Sequence, residues 1–255
     1  MQIEAVAPTP APQSLELIRS CAQAMAPDDD KLDDWYRKYS TTQAERLAAD
    51  LEIVRRFLAP DAAIVEVGAV PLLLTLALAR EGHAVAAVDI EPERFSKAIS
   101  GQELNVAKCD IESEALPFPD ASTDALIFNE LLEHLRINPV ATLREVRRVI
   151  RPGGLLLLST PNLRSLDGIW NLIVHGRGYA VCGDVYEEYR KLEWVGHMGH
   201  VREYAPGDVK MLLEKLGFKV EALVFRGRER KRSTEMICRA RPRLRRFVTV
   251  VARAV

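Results

Sequence analysis

Two carboxylates in the stretch 62–89 have the type and spacing to bind a nucleoside-bearing ligand. Glu66 lies in the apolar run Ala63–Val67, and Asp89 closes the apolar run Ala84–Asp89. Continuous apolar runs are typical of parallel strands that are buried on both faces. The carboxyl ends of such strands are where open α/β sheets bind ligands. Asp89 also follows the turn at residues 68–71 by about 20 residues, where a carboxylate can accept both hydroxyls of a ribose.

These carboxylates must be positioned by a strand–helix–strand unit. Pro71 fits the first turn of the helix between the two runs, and Gly82 fits its left-handed cap. Such a unit forms a right-handed crossover. Further apolar runs alternate with helical segments along the chain, and the last are the strands predicted at Phe218–Phe225 and Thr234–Ala240. The pattern predicts an α/β fold: a Rossmann-like, doubly wound, seven-stranded and mostly parallel sheet with helices on both faces.

We divide the chain into three parts. Residues 1–40 are an N-terminal extension that is partly disordered, with a helix predicted at Ser14–Met25. Residues 41–240 form the main domain, in which the aromatic-rich segment 163–205 is an inserted cover. Residues 241–255 form a basic amphipathic tail. The cluster of aromatic and basic residues at 35–39 is either a lid or a set of core aromatics with neighbouring cations.

Composition is that of a soluble globular protein, with 48% hydrophobic and 28% charged residues. The sequence has no run long enough to span a membrane and no basic, apolar signal peptide at its start, so we expect a cytoplasmic protein. The four cysteines lack metal-binding spacing and are interpreted as reduced thiols. Charge is uneven, at +9 from Arg226 onward against −10 for the rest, which indicates either a binding surface or a solvated one.

The run from Ile64 to Thr160 resembles the class I S-adenosylmethionine-dependent methyltransferases. It is closest to the small-molecule branch that includes ubiquinone, menaquinone, sugar and lipid methyltransferases. The matching motifs, in family order, are Val65-Glu66-Val67-Gly68, Val88-Asp89-Ile90, Cys109-Asp110-Ile111, Leu116-Pro117-Phe118-Pro119-Asp120, Asn129 to Leu135 and Leu143 to Asn162. Each motif alone is weak, but the ordered set over about 100 residues is specific.

The resemblance implies S-adenosylmethionine as cofactor and assigns a role to each matching residue. Glu66 would be the counter-charge to the cofactor's amino group, and Asp89 would accept from the ribose hydroxyls. Ile90 would pack on the adenine, beside Asp110, which would accept from the adenine amino group. The complete set of implied cofactor-binding residues is Glu66, Gly68, Ala69, Asp89, Ile90, Asp110, Ile111 and Asn129.

The glycine-rich turn departs from the family pattern of Gly-x-Gly-x-Gly. Residues 68–72 read Gly-Ala-Val-Pro-Leu, so only the first glycine is kept. A positive φ at β-branched Val70 would be an outlier. Either the turn takes a different path and admits the cofactor, or the site is narrowed or closed.

On the acceptor side, His134 is the candidate general base for a hydroxyl acceptor. Alternatively, His134 is a structural residue of a helix and forms a hydrogen bond with the backbone. We expect His197, His200 and Tyr204 to bind the acceptor. A metal site at His197-x-x-His200 would need two further ligands, and we predict no metal.

The sequence thus predicts a methyltransferase that O-methylates a small or lipid-linked acceptor such as a sugar or quinol. The alternative is a non-catalytic methyltransferase-like scaffold or binding subunit that has lost cofactor binding. We expect the tail to form a helix that lies on an anionic membrane or docks on protein. Nucleic acid is disfavoured because the basic run lacks stacking aromatics.

Overall fold

The computed structural model describes residues 10–195, 199–227, 229 and 231–255. The strands are β1 Ala63–Val67, β2 Ala84–Asp89, β3 Asn105–Lys108, β4 Thr123–Asn129, β5 Ile150–Pro161, β6 Phe218–Arg226 and β7 Phe247–Ala254. These seven form a sheet in the order β3-β2-β1-β4-β5-β7-β6. β2 is parallel to β1 and β3, whereas β7 is antiparallel to β5 and β6. The predicted seven-stranded, mostly parallel sheet is confirmed.

The described helices occupy the connections between these strands and the start of the chain. The α-helices are α1 Pro12–Ala24, α2 Asp33–Thr42, α3 Ala44–Phe57, α4 Leu73–Arg80, α5 Ser96–Gly101, α6 Pro139–Val149, α7 Leu166–His175, α8 Val185–Val195, α9 Pro206–Lys215 and α10 Arg232–Ala240. Short 3₁₀ helices lie at Asp30–Leu32, Pro92–Phe95, Leu132–His134 and Pro242–Leu244.

The chain forms two compact units. One unit contains Pro8–Ile127 together with Val149–Gly154, and it includes the strands β1, β2 and β3. The other contains Phe128–Arg148 and Leu155–Val255, and it includes β6 and β7. We call these the N-unit and the C-unit and describe each by itself.

The two strands of the strand–helix–strand unit have the predicted bounds, but the helix begins only at Leu73, so Pro71 precedes the helix and does not lie in its first turn as predicted. β1 and β2 pair in register from Ala63↔Ala84 to Val67↔Val88. Residues 73–78 of α4 are all buried, which agrees with a helix that is apolar on nearly every side. Gly82 has φ +91° and ends the helix in the predicted left-handed conformation.

The start of the N-unit is helical. The predicted helix Ser14–Met25 is α1, which begins two residues earlier, and residues 1–9 lie outside the described part. Of the 35–39 cluster, Tyr36 is a core aromatic: its ring meets the edge of Phe95, and its hydroxyl donates to the Ala22 carbonyl over 2.7 Å. Tyr36 therefore fits the core alternative at this position.

Two predictions at the C-terminus are wrong. The segment 234–240, predicted as a strand, lies in the helix α10, and the tail predicted as a basic amphipathic helix at 241–255 contains the buried strand β7. Phe247–Ala254 pairs on both sides, with β5 and with β6, and this pairing satisfies its backbone groups. A run of β-branched residues is better buried in such a pairing than on a helix face.

The cations of the tail have acidic partners within the C-unit. Arg245 is buried and bonds Glu235 over 3.0 Å, and Arg246 pairs with Asp167. Arg253 bonds Glu221 over 2.6 Å. Three of the five arginines in the tail are therefore paired within the C-unit, and a strand takes the place of the predicted membrane-binding helix.

Candidate active site

The turn after β1 is tied to the end of β2 by the carboxylate of Asp89. The Val70 N–H donates to Asp89 Oδ2 over 2.9 Å, and the Glu91 N–H donates to Oδ1 over 3.0 Å. The Gly68 N–H donates to the Val88 carbonyl over 2.9 Å. The turn therefore lies against the end of β2, where the ribose carboxylate was predicted.

Positive φ in this turn falls on Gly68 and Leu72, not on Val70. Gly68 has φ +68°, and Leu72, the residue before α4, has φ +65° with its side chain fully buried. Left-handed backbone is costly for leucine, so the packing of its side chain must hold it there. The turn takes a path of its own in place of the family's glycine geometry.

Glu66, two residues before Gly68, is buried, and its carboxylate accepts a hydrogen bond from the Thr75 hydroxyl of α4. Burial raises the pKa of Glu66 from 4.5 to about 7, against the lowering effect of the Thr75 hydrogen bond. The negative charge of Asp50 on α3 also raises this pKa, and Arg46 lowers it. Glu66 is thus a carboxyl that a nearby cation would ionise at neutral pH.

Asp110 follows β3 and is held in a local turn. Its Oδ1 accepts from the Glu112 N–H over 3.1 Å, and its Oδ2 accepts from the Ser113 hydroxyl over 2.8 Å. The apolar side chains of Ile90 and Ile111 are half-buried. These predicted adenine-side residues follow β2 and β3, which are adjacent in the sheet. Their roles toward adenine stay predictions.

In the C-unit, Asn129 ends β4 with its amide oxygen buried. That oxygen has no hydrogen-bond partner among the described residues. A buried amide oxygen without a partner is costly and indicates a site for a donor from elsewhere.

The next residue, Glu130, has φ +49° and is held by a buried network. Its Oε1 accepts from the Ser159 hydroxyl over 2.8 Å and from the Arg226 guanidinium over 3.0 Å. Arg226 is almost fully buried and also donates to Thr249 of β7 over 2.9 Å. This network fixes the backbone just after Asn129, and sequence motifs alone did not reveal it.

Two of the predicted acceptor-side residues lie together. The His134 and His200 rings meet edge to face, with centroids 4.7 Å apart. His134 Nδ1 is 3.1 Å from the Gly199 carbonyl oxygen. Tyr204 is buried under the Arg202 guanidinium, 4.9 Å from its ring centroid. His197 lies outside the described residues.

Two buried glutamates that the motifs did not single out flank these histidines. Glu133 Oε2 accepts from the Thr160 hydroxyl over 2.9 Å. The Glu203 carboxylate accepts the N–H groups of Ala180 and Val181 and has an oxygen 3.7 Å from His200 Nδ1. Glu133 precedes His134 in the sequence and Glu203 follows His200 closely, but the two pairs are far apart along the chain, so spacing carries no signal that they meet.

Comparison with known proteins shows similarity to methyltransferases. The family model described as a methyltransferase domain matches residues 65–158. The ubiquinone biosynthesis O-methyltransferase of Xanthomonas campestris is 34% identical over 115 residues, which is 43% of this chain and 47% of that protein. The malonyl-[acyl-carrier protein] O-methyltransferase of Erwinia pyrifoliae is 37% identical over 97 residues, 36% of each chain. The chain thus spans less than half the length of these curated relatives.

Solved structures show the same fold. A methyltransferase from Thermotoga maritima aligns with a TM-score of 0.57 and 18% identity, over 87% of this chain and 95% of that one. A methyltransferase from Archaeoglobus fulgidus aligns with a TM-score of 0.58 and 16% identity, over 86% of this chain and 99% of that one. Residues 65–158 thus match a methyltransferase domain, and the chain shares the fold of solved S-adenosylmethionine-dependent methyltransferases.

Proposed function

We propose that the protein uses S-adenosylmethionine to O-methylate a small or lipid-linked acceptor, such as a sugar or a quinol. The observation that carries this proposal is the pair of carboxylates at the ends of β1 and β2. Asp89 fastens the altered turn through the Val70 N–H, so the loss of two glycines coincides with a new fixed path. This supports the first of the two alternatives for the turn, in which it still admits the cofactor.

The N-unit residues fit the groups of S-adenosylmethionine. The Asp89 carboxylate, which accepts the Val70 and Glu91 N–H groups at the end of β2, would also accept the ribose hydroxyls through charge-assisted hydrogen bonds. Glu66, whose pKa is near 7, would ionise beside the cofactor's ammonium group. When bound, the cofactor supplies an electrophilic methyl group on a sulfonium.

O-methylation is supported by the names of the matched relatives, which are O-methyltransferases. His134 is the proposed proton acceptor for the hydroxyl. If its Nδ1–H donates to the Gly199 carbonyl, the tautomer is fixed with the lone pair on Nε2, as a general base requires. His200 and Tyr204 are proposed to position the acceptor.

A lipid-linked acceptor is supported by the exposed apolar surface of α7. Trp170 is 61% exposed and Ile173 is 77% exposed, with Leu172 beside them. The exposed cation Arg177 follows the helix. Trp, aliphatic and basic side chains together are the composition of helices that lie in a membrane interface. No helix in the described part of the chain is long and apolar enough to cross a membrane.

The alternative function is a non-catalytic methyltransferase-like scaffold or binding subunit. The observation that favours it is the use of Asp89 by the protein's own turn, together with the bulky Leu72 where the family has glycine. In this alternative the carboxylate serves to close the turn and has no nucleoside ligand.

Calorimetric titration of the purified protein with S-adenosylmethionine and S-adenosylhomocysteine separates the two. Micromolar binding supports the methyltransferase, and methyl transfer to quinol and sugar acceptors is then assayed. If neither ligand gives heat or raises the melting temperature, the proposal fails and the scaffold function stands.

A further inference from the structure

The histidine pair of the C-unit lies in a group of side chains with the composition of a metal site. Ligand atoms of Glu133, His134 and His200 all lie within 4.8 Å of one another. Two imidazoles and one carboxylate are a set that divalent transition ions prefer. Glu133 and His134 are thus two candidate ligands in addition to His200, and His197 lies outside the described residues.

The surroundings orient each of these side chains. His134 Nδ1 faces the Gly199 carbonyl over 3.1 Å, and the Glu133 carboxylate accepts from Thr160. Metal-binding histidines generally direct their second nitrogen to a carbonyl or carboxylate, and these outer partners strengthen the site. The Gly199 carbonyl provides this for His134.

His200 is the least satisfied member of the group. Its Nδ1 is buried and has no hydrogen-bond partner among the described residues. The nearest acid is the fully buried Glu203 carboxylate, 3.7 Å away, which is beyond hydrogen-bond distance. A buried imidazole nitrogen that lacks a hydrogen-bond partner in the described part of the chain, beside two carboxyl groups, points to a bound cation.

A second group shares His200, namely Cys182, His200 and Glu203. Both Glu203 oxygens already accept backbone N–H groups, from Ala180 and Val181. Burial and the neighbouring Glu203 raise the pKa of the Cys182 thiol, which disfavours the thiolate that a metal needs. The group with Glu133 is therefore the better site, and Glu203 is its outer support.

We propose that Glu133, His134 and His200 bind one divalent transition ion of the zinc class. A fourth position would be left for an oxygen ligand, as in catalytic sites with three protein ligands. The role of the ion in the reaction rests on the proposed function: it would bind the acceptor hydroxyl and lower its pKa. The hydroxyl proton then leaves to solvent, the oxygen–methyl bond forms as the sulfur–methyl bond breaks, and His134 acts as a ligand instead of a base.

The test is metal binding by the full-length protein after dialysis against EDTA. We expect one Zn²⁺ per chain by calorimetry and one Co²⁺ per chain by visible absorption. Glu133→Gln, His134→Ala and His200→Ala should each weaken binding by about 100-fold or more, on the scale of lost metal ligands. His175→Ala, which removes an exposed histidine at the end of α7, should leave it unchanged.

Three results would overturn the inference. The first is no binding by the wild-type protein, which does not depend on whether any variant folds. The second is binding that survives both Glu133→Gln and His134→Ala in folded protein. The third is binding lost in Cys182→Ser with a thiolate band in the cobalt spectrum, which would assign the metal to the other group.

The methyltransferase assay separates this inference from the proposed function. Metal binding without cofactor binding would leave the site standing and remove the function. Methyl transfer at full rate by metal-free protein would overturn the catalytic role of the ion and leave His134 as the base. Loss of transfer on dialysis against EDTA and its recovery with Zn²⁺ would support both.

Discussion

The Asp89 carboxylate joins the turn after β1 to the proposed ribose site. Replacing Asp89 by Ala removes the acceptor for the Val70 N–H and the charged partner of the ribose hydroxyls. We expect the affinity for S-adenosylmethionine to fall by about 1–3 kcal/mol, the range for a charge-assisted hydrogen bond. Calorimetric titration measures this, with the exposed Asp61→Ala as the matched control.

Asp89→Asn keeps one oxygen acceptor without the charge, so its affinity should lie between those of wild type and Asp89→Ala. Cofactor affinity that is the same in all three proteins would contradict the assignment of Asp89 to the ribose.

Glu66 gives the proposed cofactor site a specific pH dependence. Its pKa is about 7 because it is buried, and a bound ammonium would favour the carboxylate and lower that pKa. Binding at pH 6.5 should then release a proton, and affinity should rise from pH 6 to pH 8. Titration at pH 6.5 in buffers with different ionisation enthalpies measures the released proton. Glu66→Gln should abolish the release, and a release that persists in this variant would refute the assignment.

Without bound cofactor, the ionised Glu66 carboxylate lowers the stability of the folded protein. The pKa of Glu66 is about 7 in the folded protein and 4.5 in the unfolded chain, so the folded state binds the proton more tightly. The contribution of Glu66 to folding stability is therefore greatest below pH 4.5 and is lost as the pH rises to 7. The difference between the two pKa values of Glu66 corresponds to about 3 kcal/mol of folding free energy. Glu66→Gln should therefore stabilise the free protein at pH 8 more than at pH 5. Urea denaturation at both pH values checks this, and equal effects at the two would show that Glu66 is not titrating.

At the level of elements, β7 is the part of the C-unit whose role differs most from expectation. Val250 is fully buried between β5 and β6, where Leu158 and Leu223 are its register partners. Val250→Asp places an unpaired charge there and should destabilise the protein by more than about 3 kcal/mol. Loss of soluble, cooperatively unfolding protein is the readout in circular dichroism.

The exposed Arg241→Ser, in the same tail, is the control and should unfold as wild type does. A tail dispensable for folding would instead leave both variants stable, and that outcome would contradict the assignment of β7 to the sheet.

Local patterns explain which elements the sequence could predict. β1 and β2 have the predicted bounds because a buried strand, a turn with Pro71 and a helix ended by Gly82 are signalled within 27 residues. β7 was missed because it directly follows the arginine-rich run at residues 241–246, and its own arginine, Arg253, pairs with Glu221, which is distant in sequence. Its strand state depends on pairing with β5 and β6, which no local window contains.

The candidate site divides in the same way. Glu66 and Asp89 were found because they end consecutive strands, a position that the fold itself defines. The grouping of Glu133 and Glu203 around His200 depends on the path of the segment 163–205. That path has no counterpart in the matched domain at 65–158, so neither the motif nor the family could predict it.

At the scale of the whole molecule, the question is which surface meets a lipid-linked acceptor. Three of the five arginines of the tail are paired within the C-unit and β7 is buried, so the amphipathic membrane helix predicted for the tail does not form. We propose the exposed face of α7 as the membrane contact, and we expect the protein to co-sediment with vesicles that contain about 30% anionic lipid, where each nearby cation contributes about 1 kcal/mol. Neutral vesicles should bind it less.

The double variant Trp170→Ser with Ile173→Ser removes the two most exposed large apolar side chains of α7. Vesicle binding should fall at least about tenfold, because full burial of one such side chain contributes about 1.5–3 kcal/mol to the binding free energy. Met211→Ser on α9 removes an apolar side chain of similar exposure and is the matched control. Equal binding by the double variant and wild type would exclude α7 as the membrane contact. If the double variant also keeps its activity on a short-chain acceptor but loses it on a long-chain acceptor presented in vesicles, α7 acts in access to the lipid and not in the chemistry.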